Sequence, residues 1–94
     1  MEELTIISDF FKALSNNYRL LLILMLADGE MRPTELQQYM GIKAPLLSKN
    51  LNILVKHNIV RKRRAGRENF YYLANNGFIK EIIKAVKNEM SEMS

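Results

Sequence analysis

PTELQQYMGIKAPLLSKNLNILVKHNIVRKRRAGRENFYYL, Pro33 to Leu73, divides at Gly41 and again at Ile59. Its first part opens on a residue suited to the first turn of a helix, because the missing N–H of proline has no partner to lose there. Leu36, Tyr39 and Met40 then give a short apolar face before Gly41 stops the helix. A second helix is predicted from Lys43 or Ala44 to His57, with Pro45 tolerated in its first turn. Leu47, Leu51, Leu54 and Val55 recur at helical spacing and are expected to face inward. That leaves Lys43, Ser48, Lys49, Asn52 and Lys56 on the outer face. Two short helices joined through a glycine make a helix-turn-helix pattern.

From Ile59 the helical period gives way to alternation. Arg61, Lys62, Arg63, Arg64 and Arg67 precede the strand-forming run Phe70 to Leu73, and Ala65-Gly66 supplies a turn between them. The segment therefore reads as a β-hairpin with its tip near Arg64 to Arg67. Asn69, Tyr71 and Leu73 share one face, and Phe70 and Tyr72 the other. At least one aromatic face should pack on the helices. The five cations cannot be buried without partners, so they point to solvent or toward something negative.

Outside this stretch the chain reads as helix. Leu4, Ile7, Phe11 and Leu14, joined by Ile6 and Phe10, predict an amphipathic helix over 3–14. Ser15-Asn16-Asn17 breaks it and offers a cap for a second helix over 18–27. That helix is apolar nearly all round and is expected to be buried on every side, as the centre of the core. After Asn75-Asn76-Gly77 a last helix is predicted over 77–90, where Phe78, Ile79, Ile82, Ile83 and Val86 lie opposite Lys80, Glu81, Lys84 and Lys87; Ser91 to Ser94 are expected to fray. The expectation is a mainly α protein with a small hairpin, ordered α-α-α-α-β-β-α, a winged helix-turn-helix occupying 1–94 as one domain. At 94 residues there is room for one core.

The charge pattern narrows the function. Residues 1–35 hold three Lys/Arg and six Asp/Glu, residues 36–67 hold eight and none, and residues 68–94 hold three and four. All of the excess positive charge thus lies on the second helix of the pair and the hairpin. A solvated face explains a short charge run, but 32 acid-free residues point to a polyanion. The chain has no cysteine, which removes disulfides and thiolate chemistry. One histidine, no phosphate loop and no placed carboxylate pair argue against an enzyme. The longest apolar run, Leu20 to Ala27, is far short of the roughly 20 residues of a membrane span. With two acids at the start instead of a secretory signal, a soluble cytoplasmic protein is expected.

Glu30 to Leu73 resembles the winged-helix core of the ArsR/SmtB repressors, the metal- and metabolite-sensing regulators of bacteria and archaea. FKALSNNYRLLLILMLADGE before it, with Arg19 ahead of a leucine-rich run, is similar to that family's first two helices. The most specific matches are Leu47-Ser48-Lys49-Asn50-Leu51-Asn52-Ile53-Leu54, similar to the recognition helix, and Arg64-Ala65-Gly66-Arg67 leading to Tyr71-Tyr72-Leu73, similar to the wing. The resemblance implies a transcriptional regulator, a repressor, that binds double-stranded DNA as a homodimer on a pseudo-palindromic operator. It places Lys43, Ser48, Lys49, Asn52 and Lys56 at the major groove and Arg61, Lys62, Arg63, Arg64 and Arg67 on phosphates or the minor groove. It also assigns the dimer interface to the terminal helices 3–14 and 77–90, with Ile7, Phe10, Phe11, Phe78, Ile82, Ile83 and Val86 as candidates.

The resemblance departs where relatives bind metal. Met31 to Leu36 has no cysteine and Phe78 to Met90 no histidine, so thiolate and His-rich sites are missing; a carboxylate site from Glu81 or Glu89 has little support. His57 reads as a solvated helix-end residue and the six methionines as core filler. No cofactor is expected, and whether a small-molecule effector, a partner or nothing is sensed stays open. The rival reading is a winged helix that binds RNA or a protein partner on Phe70 and the hairpin, which exposed aromatics among the cations would favour.

Overall fold

The computed structural model describes residues 1–74 and 76–93. Five helices and one hairpin follow in the predicted order: α1 (Glu2–Leu14), α2 (Asn17–Leu26), α3 (Pro33–Met40), α4 (Ala44–Lys56), β1 (Val60–Ala65), β2 (Glu68–Leu73) and α5 (Asn76–Met93). The architecture is a winged helix-turn-helix.

Local chemistry sets the boundaries. Asn16 is extended and its side chain accepts from the backbone N–H groups of Tyr18 and Arg19, starting α2. Gly41 ends α3 at φ 64°, a left-handed conformation that glycine adopts without steric cost. At the end of α4 the residue in that region is Asn58, at φ 57°. Ile59 N–H donates to the Leu54 carbonyl at 2.9 Å and Asn58 N–H to that of Val55 at 3.0 Å, the paired bonds of a Schellman motif. Ile59 and Leu54 are both buried, so the motif also sets the angle at which the chain leaves α4 for the wing.

β1 and β2 are antiparallel, with Val60 opposite Leu73, Lys62 opposite Tyr71 and Arg63 opposite Phe70. Gly66 takes φ 64° at the first of two turn residues, as a type II′ hairpin requires. Met31 adds a bridge that the sequence does not signal. It exchanges both backbone bonds with Tyr71, at 3.0 and 2.9 Å, and so ties the chain ahead of α3 to β2. A one-residue bridge has no alternation to reveal it.

The core is one cluster: Ala13 and Leu14 from α1, Leu22, Ile23 and Leu26 from α2, Leu36 from α3, Leu47, Leu51 and Leu54 from α4, Ile59 and Val60, Tyr71 and Leu73, and Ile79 from α5. The tyrosine-leucine face of β2 is the packed one, and burial pushes the Tyr71 phenol pKa up.

Three expectations are corrected. Val55 does not face inward but is 38% exposed, and Asn50 is buried in its place, at 2%. Both flank the Leu47–Leu51–Leu54 stripe, and α4 is rolled toward the Asn50 side because Arg19 waits there with a donor. α2 is not buried on every side: Tyr18, Leu21 and Leu24 are exposed, since α1, α4 and β2 cover only part of its circumference. α5 does not stop near residue 90 but continues to Met93, so Ser91 does not begin a frayed tail. Of the expected turn, Asn75 lies outside the described residues and Asn76 already begins α5; Ser94 also lies outside them.

Candidate nucleic-acid interface

α4 presents Lys43 as its N-cap, then Ser48, Lys49, Asn52, Val55 and Lys56, all exposed. The buried stripe opposite anchors the helix, so these side chains project from a fixed base. The hairpin follows, with every residue of β1 after Val60 exposed. The structure thus brings the predicted cations of helix and wing onto adjoining elements, with α4 packed against β1.

Their electrostatic states differ. Lys43, Lys49, Lys56, Arg61, Lys62, Arg64 and Arg67 form no ion pair among the described residues. Arg64 Nε donates to the Gly66 carbonyl at 3.2 Å and Arg61 Nε to Asn58 Oδ1 at 3.4 Å, contacts that orient each side chain without neutralising it. Arg63 is different. Its Nη2 and Nε donate to the two carboxylate oxygens of Glu30 at 2.7 and 3.2 Å, and its guanidinium lies 4.7 Å from the centre of the Phe70 ring. The hydrogen bond from Arg63 holds the Glu30 carboxyl below its ordinary pKa. The acid-free stretch therefore receives an acid from outside itself, beside the Met31–Tyr71 bridge, and one of the five wing cations is already matched. Nothing local in the sequence marks that contact.

The aromatic platform of the rival reading is not open. Phe70 and Tyr72 are half-buried, and Arg63 occupies one face of Phe70. Glu68 at the wing tip is engaged by Arg32 at 3.3 Å. Arg32 also begins α3, where its backbone N–H donates to Glu35 Oε1 at 3.0 Å and its Nε to the same oxygen at 3.1 Å.

Arg19, which the sequence reading leaves without a role, organises the site from behind. From the first turn of α2 it donates through Nε to the Ala13 carbonyl at 2.6 Å and through Nη2 to that of Lys12 at 3.3 Å. Both carbonyls lie at the end of α1, where the helix's own N–H groups run out, and that of Lys12 also accepts from the cap N–H of Ser15 at 3.1 Å. Nη1 donates to Asn50 Oδ1, and Asn50 Nδ2 to the Leu46 carbonyl at 2.9 Å. One guanidinium thus fixes α1, α2 and α4 together and sets the roll of the exposed face.

The two end helices meet through Phe10 and Phe78, ring centres 6.2 Å apart. Ile6, Ile7, Phe10, Phe11, Phe78 and Ile82 line a wholly apolar concavity there. Leu4, Ile6, Ile7, Phe11, Phe78, Val86 and Met90 keep more than half of their surface exposed. Among the interface candidates Ile83 turns the other way and packs on the core, as Phe10 does in part.

Neither α3 nor α5 carries a thiol or imidazole, and among the described residues no three His, Cys, Asp or Glu side chains gather to hold a metal ion.

Residues 16–62 match the family model described as bacterial regulatory protein, arsR family. An uncharacterized HTH-type transcriptional regulator of Methanocaldococcus jannaschii is 37% identical over 87 residues, 92% of this chain and 97% of that one. The biofilm growth-associated repressor of Xylella fastidiosa is 39% identical over 67 residues, which span 71% of this chain but only 59% of the repressor. Among solved structures, the homodimeric winged helix-turn-helix DNA-binding domain from Mycobacterium bovis superposes with a TM-score of 0.86 at 26% identity, covering 99% of this chain and 88% of that domain.

Proposed function

The chain belongs to the arsR family of bacterial regulatory proteins, and from that premise we propose that it represses transcription as a homodimer on a pseudo-palindromic duplex operator. α4 enters the major groove, where Lys49 and Asn52 reach base edges by the pairings that hydrogen-bond geometry favours, lysine to guanine and asparagine to adenine. Lys43, Ser48 and Lys56 flank them on phosphates. Arg61, Lys62, Arg64 and Arg67 grip the backbone or the adjoining minor groove, and Arg63 stays with Glu30.

One observation carries this reading: the exposed residues of α4 and β1 are rich in cations, lie on adjoining elements and, among the described residues, form no ion pair except at Arg63, on a helix whose opposite face is locked in the core. Base-stacking on the hairpin is disfavoured because Phe70 is occupied. The apolar surface shared by α1 and α5 supports a two-fold dimer, since burying apolar area is worth about 25 cal/mol per Å². Two copies joined there set their recognition helices about 34 Å apart, one turn of the duplex.

Selection of bound genomic fragments, followed by titration of the recovered duplex, tests the proposal. An inverted repeat with half-sites about one turn apart is expected, bound by two copies. If about six to eight phosphates are neutralised per dimer, affinity falls by about three to four powers of ten between roughly 50 and 200 mM salt. Absence of any duplex uptake at low salt defeats the proposal.

A further inference from the structure

α2 and α5 do not close on one another along their whole length. Between them lies a cleft of about 400 Å³, with Ile23 and Leu24 of α2 and its capping residue Ala27 on one wall and Ile79 and Ile83 of α5 on the other. That is the size range of small-molecule pockets. Its rim is not neutral. Lys80, Lys84 and Lys87 line it from α5, against the single acid Asp28 from the end of α2.

The three lysines stand at i, i+4 and i+7, on one stripe about 10 Å long. Like charges at that spacing destabilise a helix. Among the described residues none of the three forms an ion pair. Glu81 and Glu89, the other charged side chains described on α5, do not line the cleft. An apolar trough with a net cationic lip, three lysines against one aspartate, matches a molecule with an anionic head and an apolar body. This cleft is separate from the concavity between α1 and α5, with which it shares no residue.

We propose that the α2–α5 cleft binds a small amphipathic organic anion, its hydrocarbon body against Ile23, Leu24, Ala27, Ile79 and Ile83 and its carboxylate among Lys80, Lys84 and Lys87. The binding itself does not depend on the DNA-binding reading. A regulatory effect does, because α5 also carries part of the proposed dimer surface.

Calorimetric titration of the full chain, without DNA, with hexanoate, octanoate and decanoate tests the site. Each added methylene that enters the trough is worth about 0.8 kcal/mol, so affinity should rise about fourfold per carbon. The uncharged control is decanol, expected to bind at least about tenfold more weakly than decanoate, a difference of the size that charge-assisted hydrogen bonds supply. Lys80→Gln with Lys84→Gln and Lys87→Gln should weaken decanoate by a similar factor and leave the oligomeric state unchanged. Leu24→Gln, at the wall, should flatten the dependence on chain length. No saturable uptake of decanoate overturns the proposal, as does equal binding of decanol or affinity that survives the triple substitution. So does a triple variant that loses self-association in sedimentation, for then the cleft receives a second copy of the chain. Abolition by Phe11→Ser while the lysine variant still binds also overturns it, by moving the ligand to the α1–α5 concavity.

Discussion

Arg19 Nη1 donates to Asn50 Oδ1 across 3.0 Å, joining the first turn of α2 to the middle of α4. With its bonds to the Lys12 and Ala13 carbonyls, the Arg19 side chain touches three helices at their convergence. The exposed face of α4 owes its orientation to that bond, since Asn50 is the polar residue turned inward beside the leucine stripe.

Arg19→Met should therefore destabilise the fold by about 1–3 kcal/mol, the cost of leaving buried polar groups unmatched. Urea unfolding measures it. Arg19→Lys should recover little, because an ammonium cannot serve three acceptors in a planar fork. A double-mutant cycle with Asn50→Ala should give a coupling of about 0.5–3 kcal/mol; additive effects would show that the bond is idle.

Asn58 supplies the left-handed residue after α4. Asn58→Val is expected to cost about 1–2 kcal/mol or more, because a β-branched side chain meets the backbone in that conformation. For a domain of this size that lowers Tm by about 4–8 °C per kcal/mol. Asn58→Gly should keep or raise Tm. A Val variant that melts with the wild type contradicts the Schellman geometry.

Lys49→Ala with Asn52→Ala should remove operator preference while leaving bulk duplex affinity largely in place. Each bidentate base contact is worth about 1–3 kcal/mol of discrimination. Competition between operator and scrambled duplex reads the effect, and unchanged selectivity would place the recognition surface elsewhere.

The wing arginines should not behave alike. Arg64→Ala and Arg67→Ala are each expected to flatten the salt dependence by about one unit for every phosphate the variant no longer neutralises. Arg63→Ala should change it little, because Glu30 already matches that charge. Glu30→Gln makes the opposite prediction: with Arg63 released, affinity for any duplex rises and the slope steepens. An equal slope for Arg63→Ala and Arg64→Ala would be incompatible with the Glu30 contact.

Acid should weaken both the wing contact at Glu30 and the start of α3 at Glu35. The bond from Arg63 holds Glu30 below its ordinary pKa of 4.5, and the backbone N–H of Arg32, aided by its side chain, does the same for Glu35. A carboxylate with a lower pKa folded than unfolded contributes its full stability above the unfolded value and loses it as pH falls through the folded one. Tm should therefore decline from about pH 4.5 downward, and Glu30→Gln with Glu35→Gln should shrink that decline. An identical acid profile in the double variant would remove both pairs from the account.

The fold is legible where one short period covers each element. Leu47, Leu51 and Leu54 fix α4, Gly41 its predecessor's end, and Gly66 the hairpin tip, because each signal lies within a few residues; the turn is Gly66-Arg67, one residue later than expected, since Ala65 still pairs with Glu68. What stays hidden involves partners distant in the chain. Arg19 and Asn50 are 31 residues apart, and Glu30 and Arg63 are 33 apart, so no local window could pair them. Val55 deceives because two flanks of an apolar stripe look equivalent until a partner chooses between them. Leu21 and Leu24 deceive because hydropathy records what a side chain prefers, and says nothing of how many neighbours a small domain can supply.

The hairpin has one flank closed by Met31 and the other left open along β1. Open strand edges invite further strands, and crowded solutions of such proteins tend toward fibrous stacking. Here the open flank is Arg61 to Arg64, so a second hairpin approaching it meets its own like charge. The residues read as a grip on DNA thereby also act as insulation, and trimming them should make the protein more prone to assemble strand on strand.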